Sequence, residues 1–213
     1  MCRFLSLSAV LAAVFVSACA TPPPPPLPPG DGLVLRDWRG FITPGDRDRY
    51  QRRDAAWRLA LEQARRQPGS GDLGTVGNLI DPDAAIAPVT PLVGNYRCRT
   101  VKLGSQGGDE GLGYVVYGWF ACRIETTPNG LKFVKLTGSQ RPAGLLFPEN
   151  QDHMVLLGSM ALASEAAANT YGRRPDRDMI AVLERIGEAR WRLVIPWPQS
   201  ESNLDLIELV PAT

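Results

Sequence analysis

The pattern of apolar and polar positions divides the chain into unlike stretches. Phe4 to Val16 is an apolar run, too short to span a bilayer as a stable helix. From Trp38 to Arg66 the pattern predicts a helix. Tyr50, Trp57, Leu61 and Ala64 fall at helical spacing and make one apolar stripe. Thr43 can cap it, Pro44 suits the first helical position, and Asp46 favours the positive end of the helix dipole. Pro68-Gly69-Ser70-Gly71 ends the helix. Leu73 to Ile80 reads as a short second helix and Pro82 to Pro91 as a connector.

From Leu92 onward the grammar becomes that of strands. The segments are Gly94 to Val101, Tyr114 to Glu125, Leu131 to Leu136, Gln140 to Phe147, Met154 to Ala161, Asp178 to Ile186, Arg190 to Ile195 and Leu204 to Val210. Asn129-Gly130 is a strong hairpin signal, because both residues tolerate positive φ. About eight strands with mostly short connections predict a mainly β fold. The expected architecture is an antiparallel up-and-down barrel, which removes its own edges, with the helix outside or across one end. A two-sheet β-sandwich is the alternative. An eight-stranded barrel is filled by side chains or holds one small ligand.

The first residues follow a different logic. Arg3 precedes the apolar run, and Val16-Ser17-Ala18-Cys19 resembles a bacterial lipobox. The resemblance implies cleavage before Cys19 and acyl chains on its thiol, and two or more chains anchor a protein stably. An ordinary secretory signal is the alternative. Ala20, in place of Asp, points to the outer membrane. From Pro22 there are seven prolines in eight positions, which reads as an extended stalk, or alternatively as a proline-rich docking ligand. The expected organisation is a signal peptide over 1–18, a lipidated cysteine and stalk over 19–35, a helical segment over 36–91, and a β-domain over 92–213. The expected location is the periplasmic face of the envelope.

Without Arg3 the chain carries 22 basic and 22 acidic side chains, so no general field attracts nucleic acid. Nine arginines against five acids between Arg36 and Arg66 read as a solvated helix face, with anionic lipid or an acidic partner as the alternative. Once Cys2 and Cys19 are set aside, Cys98 and Cys122 remain, and in an oxidising compartment they read as one disulfide. Two free thiols or a metal half-site are the alternatives. One histidine and no further cysteine leave too few groups for a tetrahedral metal set, and no cofactor is indicated. Direct pairing of the two cysteines centres the hairpin near Glu110 and sets Arg97 opposite Arg123, with Arg99 on the same face. Like charges directly opposed are destabilising. Either the register differs, the side chains fan into solvent, or an anion sits between them.

Several phrases carry a resemblance. They are Tyr96-Arg97-Cys98-Arg99-Thr100-Val101-Lys102-Leu103-Gly104, Trp119-Phe120-Ala121-Cys122-Arg123-Ile124, Thr137-Gly138-Ser139-Gln140-Arg141, and Glu184-Arg185-Ile186-Gly187-Glu188-Ala189-Arg190-Trp191-Arg192-Leu193. Over roughly Trp38 to Pro211 the chain resembles an exported bacterial family catalogued as domain of unknown function 4893. The resemblance implies export and carries no activity, cofactor or site residue. More loosely, a barrel starting at Gly94-x-Tyr96 resembles the lipocalin and avidin group.

No motif in the chain assembles a catalytic constellation. His153 sits in a polar turn and its neighbour Asp152 would point to the opposite strand face. Gly138-Ser139-Gln140 lacks the second glycine of a nucleophile elbow. Gly104 to Gly111 lacks the lysine-serine ending of a phosphate loop and reads as a flexible hairpin tip. Asp109 and Glu110 are neighbours in that loop, a poor place for acid-base geometry. Trp119, Trp191 and Trp197 read as core or barrel lining, with an exposed contact as the alternative for Trp197. The sharpest candidate is an anion site made by Arg97, Arg99, Arg123 and Arg141, since guanidinium forks recognise carboxylate and phosphate. Internal pairing with Glu125 or Glu208 is the alternative. The expected function is a non-catalytic binding or interaction module for a small anionic or amphiphilic ligand, or for an envelope protein such as a hydrolase that it blocks. An envelope hydrolase and a structural envelope component are the other classes.

Overall fold

The computed structural model describes residues 37–212. The apolar run, the segment around Cys19 that resembles a lipobox, and the proline run lie outside these residues.

The single helix expected from Trp38 to Arg66 is broken into three pieces. Trp38–Gly40 is one 3-10 turn, α1 spans Pro44–Gln51, and α2 spans Arg53–Arg66. Thr43 caps α1 as expected, its hydroxyl accepting from the Asp46 N–H at 3.3 Å. The break falls at Arg52, whose φ of −95° and ψ of 14° leave the helical region. The stripe holds on α2: Ala56, Trp57, Ala60 and Ala64 are buried against the barrel. The predicted second helix, Leu73–Ile80, is 3-10 and is kinked at Gly77, where φ is 54°.

The sheet is a closed eight-stranded antiparallel barrel. Strand β1 (Gly69–Ser70) adds two parallel pairs to one strand. The barrel strands are β2 (Gly94–Leu103), β3 (Tyr114–Thr127), β4 (Gly130–Lys135), β5 (Gln140–Pro148), β6 (His153–Leu162), β7 (Asp178–Gly187), β8 (Arg190–Pro196) and β9 (Leu204–Pro211). Each pairs with the next, and β9 returns to pair with β2. Gly130 takes φ of 112° at the Asn129-Gly130 hairpin.

Alternation sorts the side chains. Tyr96, Phe133, Leu156, Leu183, Trp191, Leu193, Ile207 and Leu209 fill the interior. Burying each such side chain is worth about 1.5–3 kcal/mol. The interior is therefore a packed core. The connector before β2 seals one end. Val89 is buried there, its carbonyl accepts from the Trp191 indole N–H at 2.7 Å, and its N–H donates to Gln151 O at 2.9 Å.

Outside, α2 covers β2, β7, β8 and β9, packing on Val101, Leu103, Val182, Val194 and Leu206. Close approach is possible because Gly104 has no side chain: a Cβ there would stand 2.4 Å from Gln63 Oε1 and 3.0 Å from Ala60 Cα. Gln63 then accepts from the Ser105 N–H at 3.0 Å and from the Asn203 amide at 2.7 Å. The glycine-rich loop is thus pinned to the helix rather than being a free tip. The 3-10 turn brings Trp38 and Ile42 onto Phe147, Val155, Leu157 and Ile180. Among the described residues, α1 and α2 leave β4 and most of β5 uncovered.

Cys98 and Cys122 form the disulfide, with Cα atoms 5.9 Å apart. The register differs from the one inferred from direct pairing. Cys98 lies opposite Phe120 and Arg97 opposite Ala121, while Arg123 faces Asn95. The bridge spans a diagonal, and the opposed arginines do not occur.

Candidate functional site

The four arginines do not converge. Arg97, Arg99 and Arg123 point outward from β2 and β3, and Arg141 lies on β5 across the barrel wall. The Arg97 and Arg99 guanidiniums sit 4.9 and 5.0 Å from the centre of the Trp119 ring. Trp119 is 42% exposed, against the expectation of core or lining. Arg99 also pairs with Glu208, and Arg123 lies 3.7 Å from Glu125. These are the internal partners that the sequence offered as the alternative.

Arg141 belongs to a different feature. A groove of about 530 Å³ runs along the outer wall of β4, β5 and β6, roofed by the 166–171 loop. Its floor is apolar and shallow-sided: Val134, Ala143, Leu145, Leu157 and Ala161, with Ala166, Ala167 and Ala168 opposite. Lys132, Lys135 and Arg141 line it, and among the described residues no aspartate or glutamate does. Arg141 organises the roof by donating to Gly138 O and Ala163 O, each at 2.8 Å, and to Glu165 O. Those acceptors are neutral carbonyls, so the positive charge is left unmatched. Lys135 is 5% exposed; its ammonium donates to Gln140 O at 2.8 Å and stands 3.9 Å from the Phe120 ring centre. Burial, with Lys102 and Arg141 nearby, pushes its pKa down to about 8. Lys132 has one distant acid, Glu125, at 3.9 Å.

A second cavity, of about 210 Å³, lies at the barrel end opposite the seal. Met160, Leu162, Met179 and Ile195 form its apolar side, with Lys102 and Asp205 at the strand ends. Here the charge is matched. The Lys102 ammonium lies 3.1 Å from Asp205 and 3.0 Å from Glu201. Burial works against that ammonium, but the two carboxylates outweigh it and hold its pKa above the ordinary lysine value. An anion entering this end meets two carboxylates.

The remaining sequence candidates have structural partners. His153 Nε2 lies 3.3 Å from Glu184, and its Nδ1 lies 3.3 Å from the Asn150 amide. Both ring nitrogens therefore have partners within the fold. Ser139 is exposed in the β4–β5 turn, and Asp109 accepts from Gln67 at 2.9 Å. The Trp197 indole donates to Arg52 O at 3.0 Å while the Arg52 guanidinium covers the ring at 4.7 Å. Among the described residues no group of three or more histidine, cysteine or acidic side chains could hold a metal ion.

Sequence reasoning found Arg141 but missed Lys132 and Lys135. The available signal was the β4 segment itself, Leu131-Lys132-Phe133-Val134-Lys135, which carries two cations and no acid.

Comparison with known proteins gives one match. The model of a family described as a domain of unknown function (DUF4893) matches residues 38–209. No curated protein and no solved structure matches the chain.

Proposed function

The chain belongs to the family described as domain of unknown function 4893, and for this member we propose a non-catalytic binding module that takes a small amphiphile with an anionic end in the outer groove of β4, β5 and β6. In this reading the module is held on the periplasmic face of the outer membrane by acyl chains on Cys19. One observation carries the ligand class: three cations and no carboxylate line an apolar groove of about 530 Å³. A pocket of this size suits a small molecule, and its few polar groups fix the orientation. The apolar floor would take the hydrocarbon part, and Lys135 with Arg141 would face the anion.

Lys135 makes the proposal testable. An anion beside a lysine held near pKa 8 raises its proton affinity, so binding near pH 8 draws a proton from the buffer. Calorimetric titration with decanoate should give heats that differ between buffers of different ionisation enthalpy. Ala143→Leu, which fills the floor, and Lys132→Gln, which removes a rim charge, should both weaken binding. Decanoate that fails to bind, or binds both variants as well as the parent, refutes the groove as the site.

A further inference from the structure

We propose that the sealed end of the barrel rests on the lipid surface, with Leu92 and Val93 inserted among the headgroups. This rests on the reading that Cys19 carries the acyl chains.

Two independent features of the described residues point to the same end. The first is where the chain enters. Trp38 and Arg39 are held by Glu149, in the turn between β5 and β6 at the sealed end. Seventeen residues separate Cys19 from Asp37. At no more than about 3.6 Å per residue they let the domain stand at most about 60 Å from the anchored cysteine. The end that receives the chain is thus the end that can most readily reach the membrane.

The second feature is exposure. Leu92 is 69% exposed and Val93 58%, the two highest values among large apolar side chains of the described residues, and Ile86 in the same connector is 42% exposed. This connector is rigidly held. The Ile86 N–H donates to Arg185 O at 2.8 Å, the Val89 N–H to Gln151 O at 2.9 Å, and the Tyr96 hydroxyl to Leu92 O at 2.6 Å. It turns Val89 into the core and Leu92 and Val93 outward. Apolar side chains on a fixed loop enter a membrane interface without an ordering cost at that moment. Their area is too small to hold a protein on a bilayer alone. A tether makes the contact intramolecular, so a weak contact is enough. In this pose the cavity beside Lys102 and Asp205 faces away from the membrane, and the cationic groove opens sideways.

The test uses the full-length protein with its anchor, reconstituted in phosphatidylcholine vesicles. Cys98 and Cys122 are bridged, so Leu92→Cys supplies the thiol for an environment-sensitive nitrobenzoxadiazole probe, and Ser164→Cys supplies a control at the opposite end. The expected result is a blue shift and quenching by doxyl-labelled lipid at position 92 and neither at position 164. Adding Val93→Asp should reverse the shift at 92 while the protein still floats with vesicles. A protein that floats but whose probe at 92 is as wet as the one at 164 overturns the seat and leaves the anchor standing. A protein that does not float, with Cys19 free to react, overturns the anchor and the seat with it.

Discussion

The two halves of the barrel wall treat charge in opposite ways. On the half covered by α2 and the Leu73–Ile80 segment, cations meet carboxylates. Glu208 takes Arg99 and Arg190, and Glu184 takes Arg192. Arg192 is fully buried, donates to the carbonyls of Leu79, Asp81 and Pro82, and lies 5.0 Å from the Trp57 ring centre. On the open half, Lys135 and Arg141 have backbone carbonyls as partners. A buried charge costs several kcal/mol unless it is paired and hydrogen-bonded. The covered half meets that requirement with internal acids, and its charges hold the helical layer to the barrel. The open half leaves the requirement unmet at Lys135, and a unit of negative charge from outside would meet it.

The contrast can be broken most forcefully on the covered side. Arg192→Met should destabilise the protein by about 3–5 kcal/mol, because it strips Glu184 of its buried partner; urea unfolding measures this. Replacing both Cys98 and Cys122 with Ala should cost roughly 3 kcal/mol, the scale expected for a bridge closing a loop of this size. That loss should disappear if the parent is unfolded under reducing conditions.

The open side should respond with the other sign. Lys135→Met should raise stability by roughly 2 kcal/mol at pH 7, since the native pKa near 8 lies below that of an unfolded lysine. The neutral amine is preferred in the fold, so the penalty is absent above the unfolded pKa of 10.5. It grows as pH falls and is complete below 8, so the gain should fade in thermal melts at high pH. A saturating anionic ligand should shrink the same gain. The smallest effect sharpens the comparison, because the covered side also holds an acid with an unmatched oxygen. Asp178 is 2% exposed, its Oδ2 has no partner, and burial lifts its pKa to about 6. Its ionisation is disfavoured in the fold, so its contribution is best at low pH and is lost as pH rises through 6. Asp178→Asn should therefore gain about 1 kcal/mol at pH 7 and little at pH 4.

The barrel was legible in the sequence because each strand reports its own inner face. The run of strand-forming residues from Leu131 to Leu136 and the Asn129-Gly130 turn place β4 without knowledge of any neighbour. The disulfide was legible by elimination, but its register was not. A bridge between adjacent strands tolerates a diagonal, and the irregularity between Arg99 and Val101 shifts the ladder further. The helix break at Arg52 was hidden because arginine is a good helix former and nothing local stops it. There Arg52 reaches Asp48 on one side and the Trp197 ring on the other. The arginines singled out in the sequence are spread over the wall, and only Arg141 lines the groove proposed to take an anion. Arg97, Arg99 and Arg123 lie on the neighbouring strands β2 and β3, where Arg99 meets Glu208 and Arg123 meets Glu125. Arg141 meets Lys132 and Lys135 only because the β4–β5 hairpin folds back and the 166–171 loop covers it.

The closing seam has a consequence for how the protein is made. Within the eight-stranded barrel every pair of neighbouring strands is adjacent in sequence except β2 and β9, and that seam carries Arg99 with Glu208 and Lys102 with Asp205. A chain emerging from its N-terminus can lay down seven strands while β2 still presents an unpaired rim. Only Leu204–Pro211, synthesised last, can cover it. Until then the nascent sheet can pair with another copy of itself. Shielding of β2 until the C-terminal strand is released would therefore govern the yield of folded protein more than the stability of the finished barrel.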